Sequence, residues 1–314
     1  AGRAPARLAA LLALLCAAPL LARADVRPDP GWYRGAVIYG VVPPRFGPGP
    51  LEAVTARLDA LRDLGVDALW LAPVNPTDDP GDVSYAITDY FGLRADFGTP
   101  EDLRALVREA HARGIRVLLD FVPNHTSTGH PHHLDAVARG RASPWWGWYD
   151  RDPAGRETHY FDWRHLPNLD YGNPLVRQTM LDAFAFWVRE YDVDGFRVDA
   201  AWGIRQRAPT FWRALRRRLD AVKPGVFLLA EASARDPFYV RNGFDAAYDW
   251  TGELGHWAWE KVFDDPARIG PALDAALASR ATPMDRVARF LNNNDTGERF
   301  VTRHGVAVTR VAAE

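Results

Sequence analysis

Cysteine is nearly missing from this chain: 314 residues contain one, Cys16, and it lies within the first two dozen positions. A single thiol excludes a disulfide framework and a thiolate metal site, and it says nothing about compartment. Lysine is almost as scarce. Lys223 and Lys261 are the only two, so arginine carries nearly all the positive charge, a bias of composition and not a binding device. Net charge is −2, which leaves no basic footprint for nucleic acid. Internal repeats and low-complexity linkers are missing too, so neither a solenoid nor a disordered spacer is indicated. What is present is ordinary for a folded protein: 47% hydrophobic and 25% charged residues. The length allows one large core, built either as a single α/β barrel or as two smaller domains.

The first residues differ in kind. Arg3 and Arg7 precede an apolar run, Leu8 to Leu21, and Ala22-Arg23-Ala24 follows it. This is the layout of a secretory signal peptide over residues 1–24, too short to span a bilayer comfortably, with a retained membrane anchor as the alternative. Cys16 lacks the small residues upstream that a lipoprotein signal needs. The expectation is a secreted or periplasmic protein with no stable membrane association after cleavage. Because the chain begins with Ala and not Met, its N-terminus is expected to be incomplete.

Beyond the leader, short runs of Val, Ile and Leu alternate with helical patterns. Strands are predicted at Val37–Val42, Ala68–Leu71, Ile115–Phe121, Gly195–Val198, Phe227–Ala230, Ala246–Tyr248 and Val287–Leu291. Helices are predicted around Leu51–Leu64, Pro100–Arg113, Leu175–Tyr191 and Thr210–Val222, with Thr99 as N-cap and Pro100 in the first turn of the second. Unbroken apolar strands are those that helices cover, and repeated βα units imply a parallel sheet, open or closed into a barrel. From Pro123 to Gly172 the rhythm stops. That stretch is rich in His, Pro, Gly and aromatics, shows no helical period, and is too long for a bare loop, so an inserted subdomain is expected.

Acids sit where the strands end: Asp120 after Ile115–Leu119, Asp199 after Gly195–Val198, Glu231 after Phe227–Ala230 and Asp295 after Val287–Leu291. In a βα barrel the C-terminal strand ends converge on one mouth. Taken singly, each acid reads as a helix cap or a loop salt bridge.

Together the segments resemble the conserved regions of the α-amylase family, glycoside hydrolase family 13. Asp120-Phe-Val-Pro-Asn124-His125 is similar to its D-x-V-x-N-H, Gly195-Phe-Arg197-Val-Asp199 to G-F-R-x-D, Leu228 to Glu231 to the strand ending in Glu, and Phe290 to Asp295 to F-x-x-N-H-D. Leu166-Pro-Asn168-Leu169 looks like L-P-D-L, and Tyr85 to Tyr90 and Asp96 to Thr99 are family-like. The resemblance runs from about Tyr33 to Val311. It implies an α/β fold, a TIM (β/α)8 barrel with a small inserted domain after the third strand. The divisions would be residues 25–122 and 173–314 for the barrel and 123–172 for the insertion. The chain stops before an eighth strand, so the barrel is expected to be incomplete at the C-terminus.

The resemblance also implies an α-glucan- or maltooligosaccharide-cleaving retaining hydrolase with no organic cofactor. Asp199 would be nucleophile, Glu231 acid/base and Asp295 the stabiliser of the transition state. A retaining pair stands about 5–5.5 Å apart. Arg197, two residues before Asp199 on the same strand face, would favour its ionised form. The apolar run before Glu231 would raise its pKa and keep it protonated. His125, Tyr85, Asp120, Asn294 and Trp202 would line the sugar site, with Tyr85 stacking on the central ring.

Several positions depart from the pattern. Asn294 stands where the family has His, which implies weaker transition-state binding or altered substrate choice. Asn168 replaces the Asp that in many relatives binds a structural calcium with the residue matched by Asn124; an amide oxygen is a poorer ligand than a carboxylate, so calcium stays an open expectation. The crowded Trp145, Trp146, Trp148 and Trp163 are read as core of the insertion before a sugar platform, and His130, His132 and His133 as a solvated loop. Ala86 after Tyr85, where α-1,6-cleaving relatives often carry Asp, leans towards α-1,4 bonds. An α-1,6-glucosidase or transglycosylase and a catalytically inactive, family-like binding protein are the alternatives.

Overall fold

The computed structural model describes residues 29–79, 81, 83–250, 262–277 and 282–313; the leader expected over residues 1–24, with Cys16, lies outside them. Seven parallel strands form one sheet in the order β1-β2-β3-β6-β7-β8-β9. They are β1 (Ile38–Val41), β2 (Ala68–Leu71), β3 (Arg116–Phe121), β6 (Gly195–Val198), β7 (Phe227–Ser233), β8 (Ala246–Tyr248) and β9 (Val287–Ala288). A separate antiparallel hairpin, β4 (His159–Tyr160) with β5 (Trp163–Pro167), belongs to the stretch between β3 and β6. The helices between strands are α1 (Pro50–Thr55), α2 (Leu58–Asp63), α3 (Pro100–Ala112), α4 (Pro131–Arg139), α5 (Pro174–Tyr191), α6 (Ala201–Arg207), α7 (Phe211–Val222) and α8 (Phe238–Arg241), followed by α9 (Ile269–Leu277) and α10 (Phe300–Ala313). This is a parallel β/α barrel sheet of the TIM type with an insertion after β3. No helix among the described residues is long and apolar enough to cross a membrane.

The period of two along each strand divides the apolar residues between two cores. Leu69, Leu71, Val117, Leu119, Phe121, Phe196, Val198, Leu228 and Ala230 face the helices and join their buried side chains. The alternate residues Ala68, Leu118, Phe227, Leu229, Ala246 and Tyr248 form a second cluster on the other face, the barrel interior. Register then does the rest. Asp120 pairs with Arg197 across β3 and β6, and Arg197 pairs with Leu229 across β6 and β7. Asp120, Arg197, Asp199 and Glu231 therefore continue the interior face toward one end of the sheet.

Helix signals in the sequence are mostly realised. Thr99 caps α3 in a full capping box with Asp102, a motif that stabilises a helix by about 1 kcal/mol. The helix expected over Leu51–Leu64 is broken instead: α1 and α2 are separated at Ala56 and Arg57. The strand expected over Val287–Leu291 pairs only at Val287 and Ala288. The insertion also corrects the sequence reading, because it contains α4, opened by Pro131 and by the His130 side chain accepting from the His132 amide. Its nine residues are too few to display a helical period among so many prolines and histidines.

β1 and β9 are the outer strands of the sheet. Two ion pairs link the segments beside them: Arg34 Nε lies 2.6 Å from Asp285 and Arg286 Nη2 lies 3.1 Å from Asp29. Between these strands opens a cavity of 1560 Å³, lined by Ile38, Gly40, Tyr248, Val287 and Phe290 and reaching Asp120 and Asp295.

Gly195 shows how tight the interior is. A Cβ there would lie 2.3 Å from the Phe227 carbonyl oxygen and 3.0 Å from a Leu118 methyl. Neither a backbone carbonyl nor a packed leucine can withdraw cheaply. Gly195→Ala is expected to destabilise the protein by about 1–3 kcal/mol, read from denaturant unfolding; an unchanged midpoint would refute this account of the packing.

Candidate active site

One side chain organises the site. Arg197 on β6 is fully buried, and its guanidinium meets carboxylates on both neighbouring strands. Nη1 donates to Asp120 Oδ1 at 2.9 Å and to Asp199 Oδ1 at 2.8 Å. Nη2 lies 2.8 Å from Glu231 Oε1 and 3.9 Å from Asp295 Oδ2, the first of these outside hydrogen-bonding alignment. Nε donates to the Tyr248 hydroxyl at 3.1 Å. The rings of Trp70, Tyr85 and Tyr248 surround it with centroids 5.4, 5.7 and 5.8 Å from Cζ. Four acids from four strand ends thus share one cation.

Their protonation follows from this sharing. Burial pushes the Glu231 carboxyl up to about 7, Arg197 opposing and Asp295 adding to the rise. Burial and the Glu231 charge also push Asp199 up, against the pull of Arg197. The two acids titrate as a pair. Arg197 donates an aligned hydrogen bond to Asp199 but not to Glu231. Asp199 Oδ2 has no hydrogen-bond partner. Glu231 Oε2 accepts from the Ala200 amide at 2.5 Å, a contact that requires Ala200 to take a left-handed backbone, φ 46°. Such a conformation costs an alanine about 1–2 kcal/mol.

Asp120 reaches the cavity that also borders Asp295. Its exposure is 1%, and both its oxygens are taken, by Arg197 and by the Tyr85 hydroxyl at 2.9 Å. It orients those two side chains. Asn294 donates to the Tyr85 hydroxyl at 2.8 Å and to Asp295 at 3.1 Å, so it joins Tyr85 to the exposed Asp295. His125 is fully buried, and burial pushes its imidazole down to about 3. Its Nδ1 faces the Asn124 side-chain amide at 3.2 Å, and the ring also meets the Tyr85 backbone, a contact that opposes the effect of burial. A neutral ring that accepts at Nδ1 carries its proton at Nε2.

Trp202, on the first turn of α6, stands 5.8 Å from the ring of Tyr160 and 5.5 Å from that of Phe161. Tyr160 in turn lies 4.9 Å from His125. Phe161 and Trp163 are each 53% exposed. Trp163 therefore departs from the core role expected of it, whereas Trp148 is buried and Trp145 packs against the core, and Trp146 lies under the Arg151 guanidinium at 3.6 Å. The three histidines are not a solvated loop either. His130 and His133 are buried, His132 stacks on Trp145 at 3.6 Å, and His133 meets Glu157 at 3.1 Å. A ring on a short helix against tryptophans finds packing that composition does not reveal.

The calcium expected at Asn124 and Asn168 does not fit the residues around it. A calcium ion is held by oxygen ligands. Here Asn124 Oδ1 accepts from Arg207 Nη2 at 2.5 Å, and Asn168 Oδ1 accepts from the Asn124 amide at 3.0 Å. A cation is already present as a guanidinium. Among the described residues no group of three or more His, Cys, Asp and Glu is placed to hold a metal.

Sequence reasoning missed Tyr248, Tyr160 and Arg207. Tyr248 was within reach, since it is two residues after Ala246 on a predicted strand and so shares its interior face. The other two carry no sequence mark.

A family model described as "Alpha amylase, catalytic domain" matches residues 31–232. The chain is 37% identical over 227 residues to the "Alpha-amylase MalA" of Haloarcula japonica, covering 71% of this chain and 33% of that protein. It is 29% identical over 318 residues to the "Intracellular maltogenic amylase" of Bacillus subtilis, covering 91% and 53%. A solved structure named "Cyclomaltodextrinase" superposes with a TM-score of 0.74 at 25% identity, covering 89% of this chain and 53% of that one. The chain thus spans about a third to a half of the length of these curated relatives.

Isotope-edited infrared titration of Glu231 should give an apparent pKa of about 7. The sign of the Asp295 contribution requires that Asp295→Asn lower it. An ordinary carboxyl titration in the unmodified chain would overturn this account of how burial acts on Glu231.

Proposed function

The chain belongs to the α-amylase family, and from that premise we propose that the full-length protein is a retaining glycoside hydrolase acting on α-1,4-glucosidic bonds of starch-like glucans or maltooligosaccharides. The observation that carries this reading is the division of Asp199: one oxygen held by Arg197 at 2.8 Å, the other without a partner among the described residues, beside Glu231, whose carboxyl burial pushes up to about 7. Asp199 Oδ2 attacks the anomeric carbon while the bond to the leaving oxygen breaks and Glu231 gives that oxygen its proton. A glycosyl ester on Asp199 results. Glu231, now a carboxylate, takes a proton from water as the water attacks the same carbon, and Asp199 leaves as the free carboxylate.

Asp295, 3.9 Å from Arg197 and the most open of the acids, is suited to the positive charge that develops on the sugar ring. Trp202 with Phe161 offers an apolar wall for a neighbouring sugar. The inactive alternative lacks support in the residues, because every acid of the set is present and arranged around one guanidinium.

Product analysis on starch, pullulan and maltotriose separates the bond types. Cleavage of the α-1,4 bonds of starch and maltotriose is expected, with loss of at least about 10³-fold in kcat for Asp199→Ala. Equal turnover by that variant would sink the nucleophile assignment, and cleavage restricted to the α-1,6 bonds of pullulan would replace the proposed substrate.

Export is part of the same proposal and rests on the leader at residues 1–24. Fractionation of cells making the full-length protein should recover it outside the cytoplasm with the sequence up to Ala24 removed. An intact cytoplasmic chain would overturn it.

A further inference from the structure

The contact that displaces calcium has a second consequence, reaching the site through two side chains. Arg207 is the last residue of α6, where a cation also faces the negative end of a helix. Its Nη2 donates to Asn124 Oδ1 at 2.5 Å and approaches the Asn124 carbonyl oxygen at 3.4 Å. An oxygen bound to a guanidinium fixes which end of the amide is which. The Asn124 nitrogen must then point the other way, and there it has two acceptors: Asn168 Oδ1 at 3.0 Å and His125 Nδ1 at 3.2 Å. Both hydrogens of the amide are used. An imidazole that accepts at Nδ1 holds its proton at Nε2.

The surroundings agree with a built-in cation. Burial pulls the Arg207 pKa down, and Asp150 and Asp170, both from the insertion, offset part of that. Asn168 Nδ2 donates onward to Thr158 Oγ1 at 3.2 Å. His125 and Asn168 also form an isolated antiparallel bridge. The joint between barrel and insertion is therefore a chain of hydrogen bonds with the guanidinium at its head. Gly203, one turn before Arg207, keeps the approach open: a Cβ there would stand 2.6 Å from Asn124 Oδ1.

We propose that Arg207 is a positioning residue that takes the place of a divalent cation between barrel and insertion, and that by orienting the Asn124 amide it fixes the tautomer of His125 with the proton at Nε2. The inference concerns this chain's own residues and stands whether or not the substrate proposed above is correct. It excludes a calcium requirement at this joint, and it assigns a local electrostatic task to a side chain that touches no sugar-facing group.

Three measurements on the full chain test it. Isothermal titration with calcium chloride and thermal unfolding with calcium or EGTA should show no binding at Asn124 and Asn168 and no shift of the midpoint in the unsubstituted protein. A midpoint that rises with calcium and falls with EGTA would overturn the proposal. In Arg207→Ala the midpoint should drop by about 5 °C, as expected for one buried charged hydrogen bond in a chain of this size. Nitrogen-15 NMR of imidazole-labelled protein then reads His125 directly: Nε2 protonated in the unsubstituted chain, a mixture of tautomers in Arg207→Ala. Arg207→Lys, which keeps a donor at this end, should recover the single tautomer even where it does not recover the full midpoint. A His125 signal identical in all three proteins would reduce Arg207 to a structural contact and refute the positioning role.

Discussion

The guanidinium of Arg197 sets the terms for every other group at the mouth of the barrel. It is fully buried, so its charge must be matched locally, and four carboxylates supply the match. An isolated ion in such a place would cost many kcal/mol. The cluster is tolerable because Asp120, Asp199 and Glu231 are held at strand ends and brought in by register, with no long flexible stem to order. Acids outnumber the cation, and that imbalance is the chemical point. A site with as many cations as acids would leave Glu231 ionised and without a proton to donate. One fixed cation among several buried acids favours a retained proton, and burial pushes both Asp199 and Glu231 up.

The same strands that bring the acids together separate the packing on their two faces. Leu118, Phe227, Leu229 and Tyr248 fill the barrel interior beneath Arg197, while their sequence neighbours lock the helices to the outside. A one-residue slip in β6 would turn Arg197 toward α5 and Phe196 into the acids. The hydrophobic pattern thus protects the catalytic geometry, although none of its residues meets a substrate. Tyr85 and Asp120 add a shorter link: the hydroxyl that orients Asp120 also receives Asn294, so the β3 end and the segment after β9 are tied at the site itself.

Much of this was legible beforehand, for physical reasons. Acids after unbroken apolar runs are conspicuous, and period-two alternation puts Arg197 and Asp199 on one face without any structure. Thr99 declared its helix through local chemistry alone. What the sequence hid were interactions between distant residues that are individually unremarkable. Arg207 closes a helix and reaches Asn124, 83 positions away, and no local pattern signals that meeting. Tyr160 and Phe161 lie in a hairpin whose strands are too short to alternate visibly. The histidines of α4 were misread because polarity was taken for exposure; stacked on Trp145 and paired with Glu157, they are interior residues of a small aromatic core. Trp163 erred in the opposite sense, a large ring left facing water. Asp120 was correctly located, although position at a strand end does not say which neighbours will take both oxygens.

The bridge between His125 and Asn168 bears on the order in which the molecule assembles. Its two residues lie near the two ends of the insertion, and neither the Asn124 amide nor the His125 ring can reach its final state until that segment has closed and α6 has docked. The pairing of β3 with β6 closes a longer stretch that contains the whole insertion. Loop closure over such separations is slow compared with formation of adjacent βα units. The sheet therefore cannot be completed through Arg197 without bringing the ends of the insertion together, and assembly of the acid cluster and setting of the imidazole belong to the same late event.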